Sequence, residues 1–239
     1  MSKLSLEKIL QSQGFGSRKY CRELILDGEL SVAGQVLDQP GLQLETQGLS
    51  FEIFDESWTF HEKLYLALNK PENFECSRKP SHHPGILTLL PEQFSWREVQ
   101  PVGRLDHDTT GLILLSDDGA FIHALSSPKR HVPKRYLATT ASAVSEGLIA
   151  QLLQGVQLHD EPAPIAALVC QQVGEFQLEL VIEQGKYHQV KRMLAAAGNH
   201  CAALQRIEVG GLKLSELDLQ LGEWCYLTQQ HLDALWDKT

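Results

Sequence analysis

The chain has 239 residues, 43% hydrophobic and 21% charged. That is the make-up of an ordinary globular protein and excludes a disordered chain, a collagen-like repeat or a coiled-coil rod. Its net charge of −9, from 21 Lys+Arg against 30 Asp+Glu, argues against indiscriminate nucleic-acid binding, because phosphate contact is driven by positive charge.

In chain order, Leu4, Leu6, Ile9 and Leu10 have helical spacing. Gly14 and Gly16 bracket Phe15 and suit a turn. Ser17 is placed to cap a helix over 18–26, with Tyr20, Leu24 and Ile25 as its inner face, and Asp27-Gly28 ends it. Strand-like pieces follow at 30–32, at 35–37 after a turn at Ala33-Gly34, and at 49–54. Residues 1–60 therefore read as a small α+β module, marginal by itself at that size. Residues 55–63 are polar with two aromatics and read as a linker. A strand over 64–68 stops at Asn69-Lys70-Pro71, and 72–85, with Pro80, Pro84 and Gly85, is loop. Residues 61–239 then carry strands at 112–115, 135–140, 165–171, 176–182 and 202–209, and helices at 119–126, 145–154, 188–197 and 228–236. Strands and helices do not alternate one to one. An antiparallel or mixed sheet in an α+β fold is expected, not a doubly wound one.

No run reaches the ~18 apolar residues of a spanning helix, and Met1–Glu7 turns acidic before any signal-peptide stretch forms. A cytoplasmic protein is expected. Cys21, Cys76, Cys170, Cys201 and Cys225 are scattered and odd in number, which suits reduced thiols. His82-His83 lies in a Ser/Pro-rich loop with no close third ligand, so no metal site is expected.

Two basic clusters stand out of the acidic average. Lys129, Arg130, His131, Lys134 and Arg135 crowd positions 129–135, and Arg18, Lys19 and Arg22 form a smaller group. Such clusters are commonly solvated faces; a local RNA contact is the sharper reading.

Three stretches carry chemistry. Gly103-Arg104-Leu105-Asp106-His107-Asp108-Thr109-Thr110-Gly111 crowds an Arg, two Asp and two Thr between glycines, directly before an apolar strand. Loop side chains at the edge of a rigid strand are well placed for catalysis; a self-capping Asp/Thr turn is the bland alternative. Asp106 to Thr110 also fits the Asp-x-Asp-x-Thr pattern of haloacid-dehalogenase-type phosphotransferases. That motif needs an apolar strand before it, and here the apolar run comes after. Lys134-Arg135-Tyr136 opens a strand. Gly185-Lys186-Tyr187-His188-Gln189-Val190-Lys191-Arg192-Met193 leads into a helix whose apolar face is Val190, Met193, Leu194 and Ala197. Lys191 and Arg192 lie in its first turns, where cations oppose the helix dipole unless an anion accompanies them.

These blocks, in this order, resemble the three signature blocks of the RsuA-type pseudouridine synthases. Asn69-Lys70-Pro71, Ser127-Pro128, Ala197-Gly198-Asn199-His200 and Gly210-Gly211 extend the resemblance over 61–230. Residues 1–60 are similar, more weakly, to the ribosomal-protein S-four-type RNA-binding module, through Ser17-Arg18-Lys19 and Asp27-Gly28 to Val32-x-Gly34. The resemblance implies a catalytic domain with a mixed, mainly antiparallel sheet flanked by helices. It implies isomerisation of a uridine in ribosomal RNA to pseudouridine, without cofactor or metal, by a monomer. Within the family, His107 to Leu112, Gly155-Val156-Gln157-Leu158-His159 and the Tyr187 block look closest to the small-subunit (16S) branch. A large-subunit (23S) enzyme and a non-catalytic ribosome-assembly protein on the same fold are the alternatives.

On the same resemblance, Asp106 is the catalytic carboxylate, Tyr136 packs against the flipped base, and Lys191 pairs with Asp106 and keeps it ionised. Extruding the base from folded RNA costs a few kcal/mol, and Arg104 is the candidate to fill the space it leaves. Asp108 is expected to hold the loop. RNA contact is expected from Arg18, Lys19, Arg22, Lys129, Arg130, Lys134, Arg135 and Arg192.

Overall fold

The computed structural model describes residues 3–237. The chain divides into two compact units. One comprises Met1–Leu64 together with Leu90–Val99, and the other Tyr65–Leu89 with Gln100–Thr239. The N-terminal unit thus borrows a segment from far along the chain, whereas the division expected at residue 60 is continuous in sequence.

In the first unit, β1 (Lys3–Ser5) pairs antiparallel with β4 (Gln43–Glu45), and α1 (Leu6–Ser12) packs on α2 (Arg18–Leu26). Ser17 caps α2 by accepting from the Tyr20 amide at 3.3 Å. A four-stranded sheet runs in the order β3 (Gln35–Val36), β2 (Leu30–Val32), β5 (Ser50–Ile53), β6 (Glu56–Thr59). Leu6, Ile9, Leu10, Phe15, Cys21, Leu24, Ile25, Phe51 and Ile53 form the core. Three expectations fail here. Leu4 belongs to β1, and Tyr20 faces solvent, leaving Cys21, Leu24 and Ile25 as the buried face of α2. The expected linker 55–63 contains β6, because Trp58 pairs across from Phe51 and meets Phe15 edge-on at 5.2 Å. The borrowed segment carries α3 (Glu92–Trp96). Arg97, just after it, donates to Gln13 Oε1 and the His61 carbonyl at 2.9 and 2.8 Å. Gly14 has φ +88°, and a Cβ there would lie 2.0 Å from the Gln93 carbonyl oxygen, so only glycine admits this approach.

The second unit is built on a mixed sheet. Its path is β11 (Val169–Gly174), β12 (Gln177–Ile182), β10 (Lys134–Thr140), β13 (Cys201–Val209), β9 (Thr109–Ser116), β7 (Tyr65–Lys70), β15 (Trp224–Tyr226). The short strands β8 (Gln100–Pro101) and β14 (Leu212–Lys213) pair with β9 and β13. Every strand pairing in this sheet is antiparallel except that of β13 with β9. The sheet is flanked by α4 (Gly119–Ser126), α5 (Glu146–Gln154), α6 (Gln189–Ala196) and α7 (Gln229–Ala234). The α+β expectation with a mixed, mainly antiparallel sheet holds for this unit.

Central β7 and β9 are buried almost throughout, which is why they read as continuous apolar runs. β10 lies between two antiparallel neighbours and buries alternate residues Tyr136, Ala138 and Thr140. β7 runs two residues past its expected end, since Asn69 and Lys70 pair with Leu112 and Gly111. The strand expected over 165–171 begins only at Val169; before it, Ile165 makes a single bridge to Val156, next to Pro162 and Pro164.

Candidate active site

The loop ahead of β9 is fixed from below by Lys70, the last residue of β7. Its side chain is fully buried. Its ammonium donates to the carbonyls of Pro71, His107 and Thr109 at 2.9, 3.0 and 2.9 Å. Three acceptors match the three protons of a lysine. Burial pushes its pKa down, and nearby thiol and carboxylate groups, including Asp106 and Asp108, oppose that shift. The Asn73 amide also donates to the His107 carbonyl, and the Leu105 amide to the Cys76 sulfur. Gly111, at φ +99°, lets β13 approach: a Cβ there would meet the Arg206 carbonyl oxygen at 2.2 Å. The loop is therefore a held scaffold that presents Asp106.

Opposite it comes the start of α6. His188 takes the left-handed conformation at the N-cap, φ 45°, and Gln189 turns its side-chain oxygen back to accept from the Lys186 amide. This geometry aims His188 and Lys191 at the loop. Lys191 Nζ lies 2.5 Å from Asp108 Oδ1 and 3.4 Å from Asp106 Oδ2. His188 Nε2 lies 3.3 Å from Asp106 Oδ1. Burial pulls the Lys191 ammonium down, but the hydrogen bond to Asp108 and the two carboxylate charges outweigh it and raise its pKa above the usual lysine value. Burial likewise raises Asp108, and its Lys191 contact overrides that and lowers it. Cations at this helix start thus meet the anions that its dipole demands.

Tyr136 is buried on β10 and faces a narrow cleft of about 60 Å³ lined by Asp106, Thr109, Ile182, Val190 and Leu204. Tyr136, Ile182, Val190 and Leu204 give this cleft apolar sides on which a planar base could stack, with the Asp106 carboxylate at the edge where an attached sugar would lie. A wider opening beside it is lined by Arg104, Asp106, His82, His83, His107, Tyr187 and His188. Arg104 is exposed at the mouth of both.

The structure thus gathers Asp106, Tyr136, Lys191 and Arg104. Lys134 lines an adjoining cavity with Lys129. Lys129 and Arg130 are exposed on a short 3₁₀ turn and make no ion pair among the described residues. Arg135 points to the other face of β10 and is occupied by Glu208 and Glu179 at 3.0 and 3.6 Å. Arg192 donates to the Tyr187 carbonyl and lies 3.7 Å from Asp160. In the first unit, Arg18 and Arg22 both face Glu7, and Lys19 faces Glu23. His188 and Lys70 lie within the motif blocks, but nothing in the sequence gives them a role; only the fold brings them to Asp106 and its loop. Arg206 carries no sequence signal at all.

The site is thus a sheet cleft in which a held carboxylate meets a lysine beside a buried tyrosine. The family model for RNA pseudouridylate synthase matches residues 64–196, and the chain belongs to that family of isomerases. It is 42% identical over 232 residues to ribosomal small subunit pseudouridine synthase A of Escherichia coli (strain K12), covering 97% of this chain and all of the relative. The protein of the same name from Vibrio vulnificus (strain CMCP6) is 35% identical over 98% of this chain and all of its own length. A crystal structure of a pseudouridylate synthase, 33% identical, superposes with a TM-score of 0.68 over 97% of this chain and 99% of that one.

Proposed function

We propose that the protein converts one uridine of 16S ribosomal RNA to pseudouridine, in the cytoplasm, as a monomer and without a cofactor. The observation that carries this reading is the contact of Asp106 with Lys191 and His188 at the edge of the Tyr136 cleft. The relatives named as small-subunit enzymes, matched over nearly full length, support the choice of 16S.

The chemistry balances without an outside reagent. The N1–C1′ bond of the uridine breaks, the detached uracil turns, and C5 bonds to C1′. The C5 proton leaves and N1 ends protonated. Asp106 acts at the ribose, as nucleophile at C1′ or as base at the carbon beside it. Either role needs the carboxylate ionised, which Lys191 supports by charge. Tyr136 packs on the flipped base and is in reach of the proton released from the ring. Arg104 takes the space left in the RNA or grips the next phosphate. Asp108 holds Lys191 in position. Lys129, Arg130, Lys134 and Arg192 supply phosphate contacts around the cleft, with Arg135 bracing β10 beneath them.

The N-terminal unit is proposed as the S-four-type module, docking rRNA through the α2 face that carries Arg18, Lys19 and Arg22. Phosphate contacts set register, while the choice of uridine comes from RNA shape and splayed bases.

The test is pseudouridine mapping by carbodiimide and primer extension on 16S and 23S rRNA from cells with and without the gene. One lost site in 16S, restored by wild-type protein and not by Asp106→Asn, is expected. A lost site in 23S would keep the chemistry and overturn the substrate. No lost site, together with no pseudouridine formed by purified enzyme on rRNA, would leave a binding protein.

A further inference from the structure

Arg206 sits on β13 directly across from Tyr136 on β10, so both side chains leave the sheet on the same face. It is only 3% exposed. Its Nε donates to the Leu112 carbonyl at 2.7 Å. Among the described residues no carboxylate pairs with it, and its remaining nitrogens have no protein acceptor. A guanidinium this deeply buried is normally matched by an anion.

The side chain lines a cavity of about 650 Å³ that adjoins the reaction cleft and shares Arg104, Tyr136 and Lys186 with it. Lys134 also lines this cavity. Among the described residues its ammonium is held only by the Val132 carbonyl, at 2.8 Å. Burial first, and then the Arg206 charge, push its pKa down to about 8, with Glu183 opposing. Two cations are therefore forced together with no anion of their own. Glu183, the acid on the cavity wall, faces His131 at 3.0 Å. Val102, Leu125 and Pro128 give it one apolar wall, and Arg104, Lys129 and Lys186 bring further cations to its lining. The volume suits one nucleotide.

Resting on the proposed function, we infer that this cavity is a second nucleotide subsite of the RNA strand, in which Arg206 and Lys134 clamp the phosphodiester of the nucleotide adjacent to the target uridine. Guanidinium nitrogens fixed in a planar fork match two phosphate oxygens. The apolar wall would take the sugar and base of that neighbour. The two subsites meet at Tyr136, so the strand would cross the site as a splayed dinucleotide, not as a single flipped base.

The test uses the rRNA fragment bearing the mapped uridine, made as a set in which each of the four nearest phosphates is singly replaced by an uncharged methylphosphonate. Affinity is measured for the wild-type chain, Arg206→Gln and Lys134→Met. One replacement is expected to weaken wild-type binding about tenfold, the scale of a charge-assisted hydrogen bond. Each variant should lose a similar factor on native RNA and be indifferent to that one replacement, while still responding to the others. Each should also flatten the slope of log affinity against log salt by about 0.7, the value for one single-strand phosphate left unneutralised. Arg206→Gln removes a donor from Leu112, so its melting is checked; Lys134→Met keeps the test valid if the first variant fails to fold. Variants that respond to every replacement as wild type does would overturn the subsite. Failure of wild type to form pseudouridine on the native fragment would instead count against the proposed function, since the binding readout needs no turnover.

Discussion

Lys70 is the side chain that holds the Asp106 loop, although among the described residues it pairs with no carboxylate. Replacing it with methionine keeps the length and takes a donor from three main-chain carbonyls, of which only that of His107 keeps the Asn73 amide named above. Unsatisfied buried acceptors cost about 1–3 kcal/mol each before relaxation, so Lys70→Met is expected to destabilise the second unit by about 2–3 kcal/mol in urea unfolding and to lower turnover with it. Unchanged stability would show the loop is held by other bonds. Lys191 answers to a different test. Lys191→Met should lower kcat by roughly 10²-fold, in the range seen when one electrostatic stabiliser is removed, with KM for rRNA moving little. A change confined to KM would make it a phosphate ligand. The Lys191–Asp108 pair also sets a pH window. Asp108 is depressed and Lys191 raised in the folded state. The aspartate's contribution is present above its unfolded value and is lost as pH falls through the lowered one. The lysine's is present below its unfolded value and is lost as pH rises through the raised one. Stability relative to Asp108→Asn should therefore be flat across neutral pH and fall away at both edges, in acid as pH drops from the ordinary aspartate range through the lowered Asp108 value, and in alkali as pH rises from the ordinary lysine range through the raised Lys191 value. A difference that stays constant through both edges would mean that the Lys191–Asp108 pair does not set the window.

At the scale of elements, the site depends on the parallel pairing within an otherwise antiparallel sheet. β13 lies against β9 with Arg206 opposite Gly111, and the close approach there is possible because Gly111 has no side chain. Gly111→Ala adds a methyl group into a main-chain carbonyl at a positive φ, so both sterics and backbone oppose it. A loss above about 2 kcal/mol is expected, with the β9 amides exchanging faster with solvent. Unchanged exchange would mean the pairing slides to make room. That register is not readable from the sequence. α2, β10 and α6 are legible because caps, alternation and helical spacing are local signals. The β9–β13 pairing joins residues nearly a hundred positions apart, and nothing local announces it. Arg206 shares that fate: two places after Leu204 it takes that residue's inward face, but no local signal sets a buried cation there, and only the register places it against Tyr136. Asp106, Tyr136 and Lys191 are legible because three motif blocks carry them; the lysine's second contact, with Asp108, is not. β6 escapes a sequence reading because its polar residues face solvent, leaving Trp58 as the sole inward signal.

Across the whole chain, a net charge of −9 has to coexist with binding a polyanion. The first unit shows how far the acidic side goes: Glu7, Glu23 and Glu45 stand against Arg18, Arg22, Lys19 and Lys3. These basic groups are partly neutralised before RNA arrives, so the unit's contribution to affinity should be modest and salt-sensitive. Removing it tests this, provided the cut respects how the unit is built. Deleting 1–64 alone strips Arg97 of Gln13, His61 and Glu62 and leaves α3 without its unit. That variant is expected to aggregate or melt early. Deleting 1–64 while replacing 90–99 with a Gly/Ser linker of equal length removes the whole unit and should leave a second unit that unfolds in one transition. Its affinity for rRNA should fall, and the slope of log affinity against log salt should drop by about 0.9 for each duplex phosphate that the shortened chain no longer neutralises. Pseudouridine should still form at saturating RNA, since Asp106, Tyr136 and Lys191 all lie in the retained unit. Unchanged affinity and slope would remove RNA binding from the N-terminal unit, and turnover abolished at saturating RNA would mean that unit helps to shape the site itself.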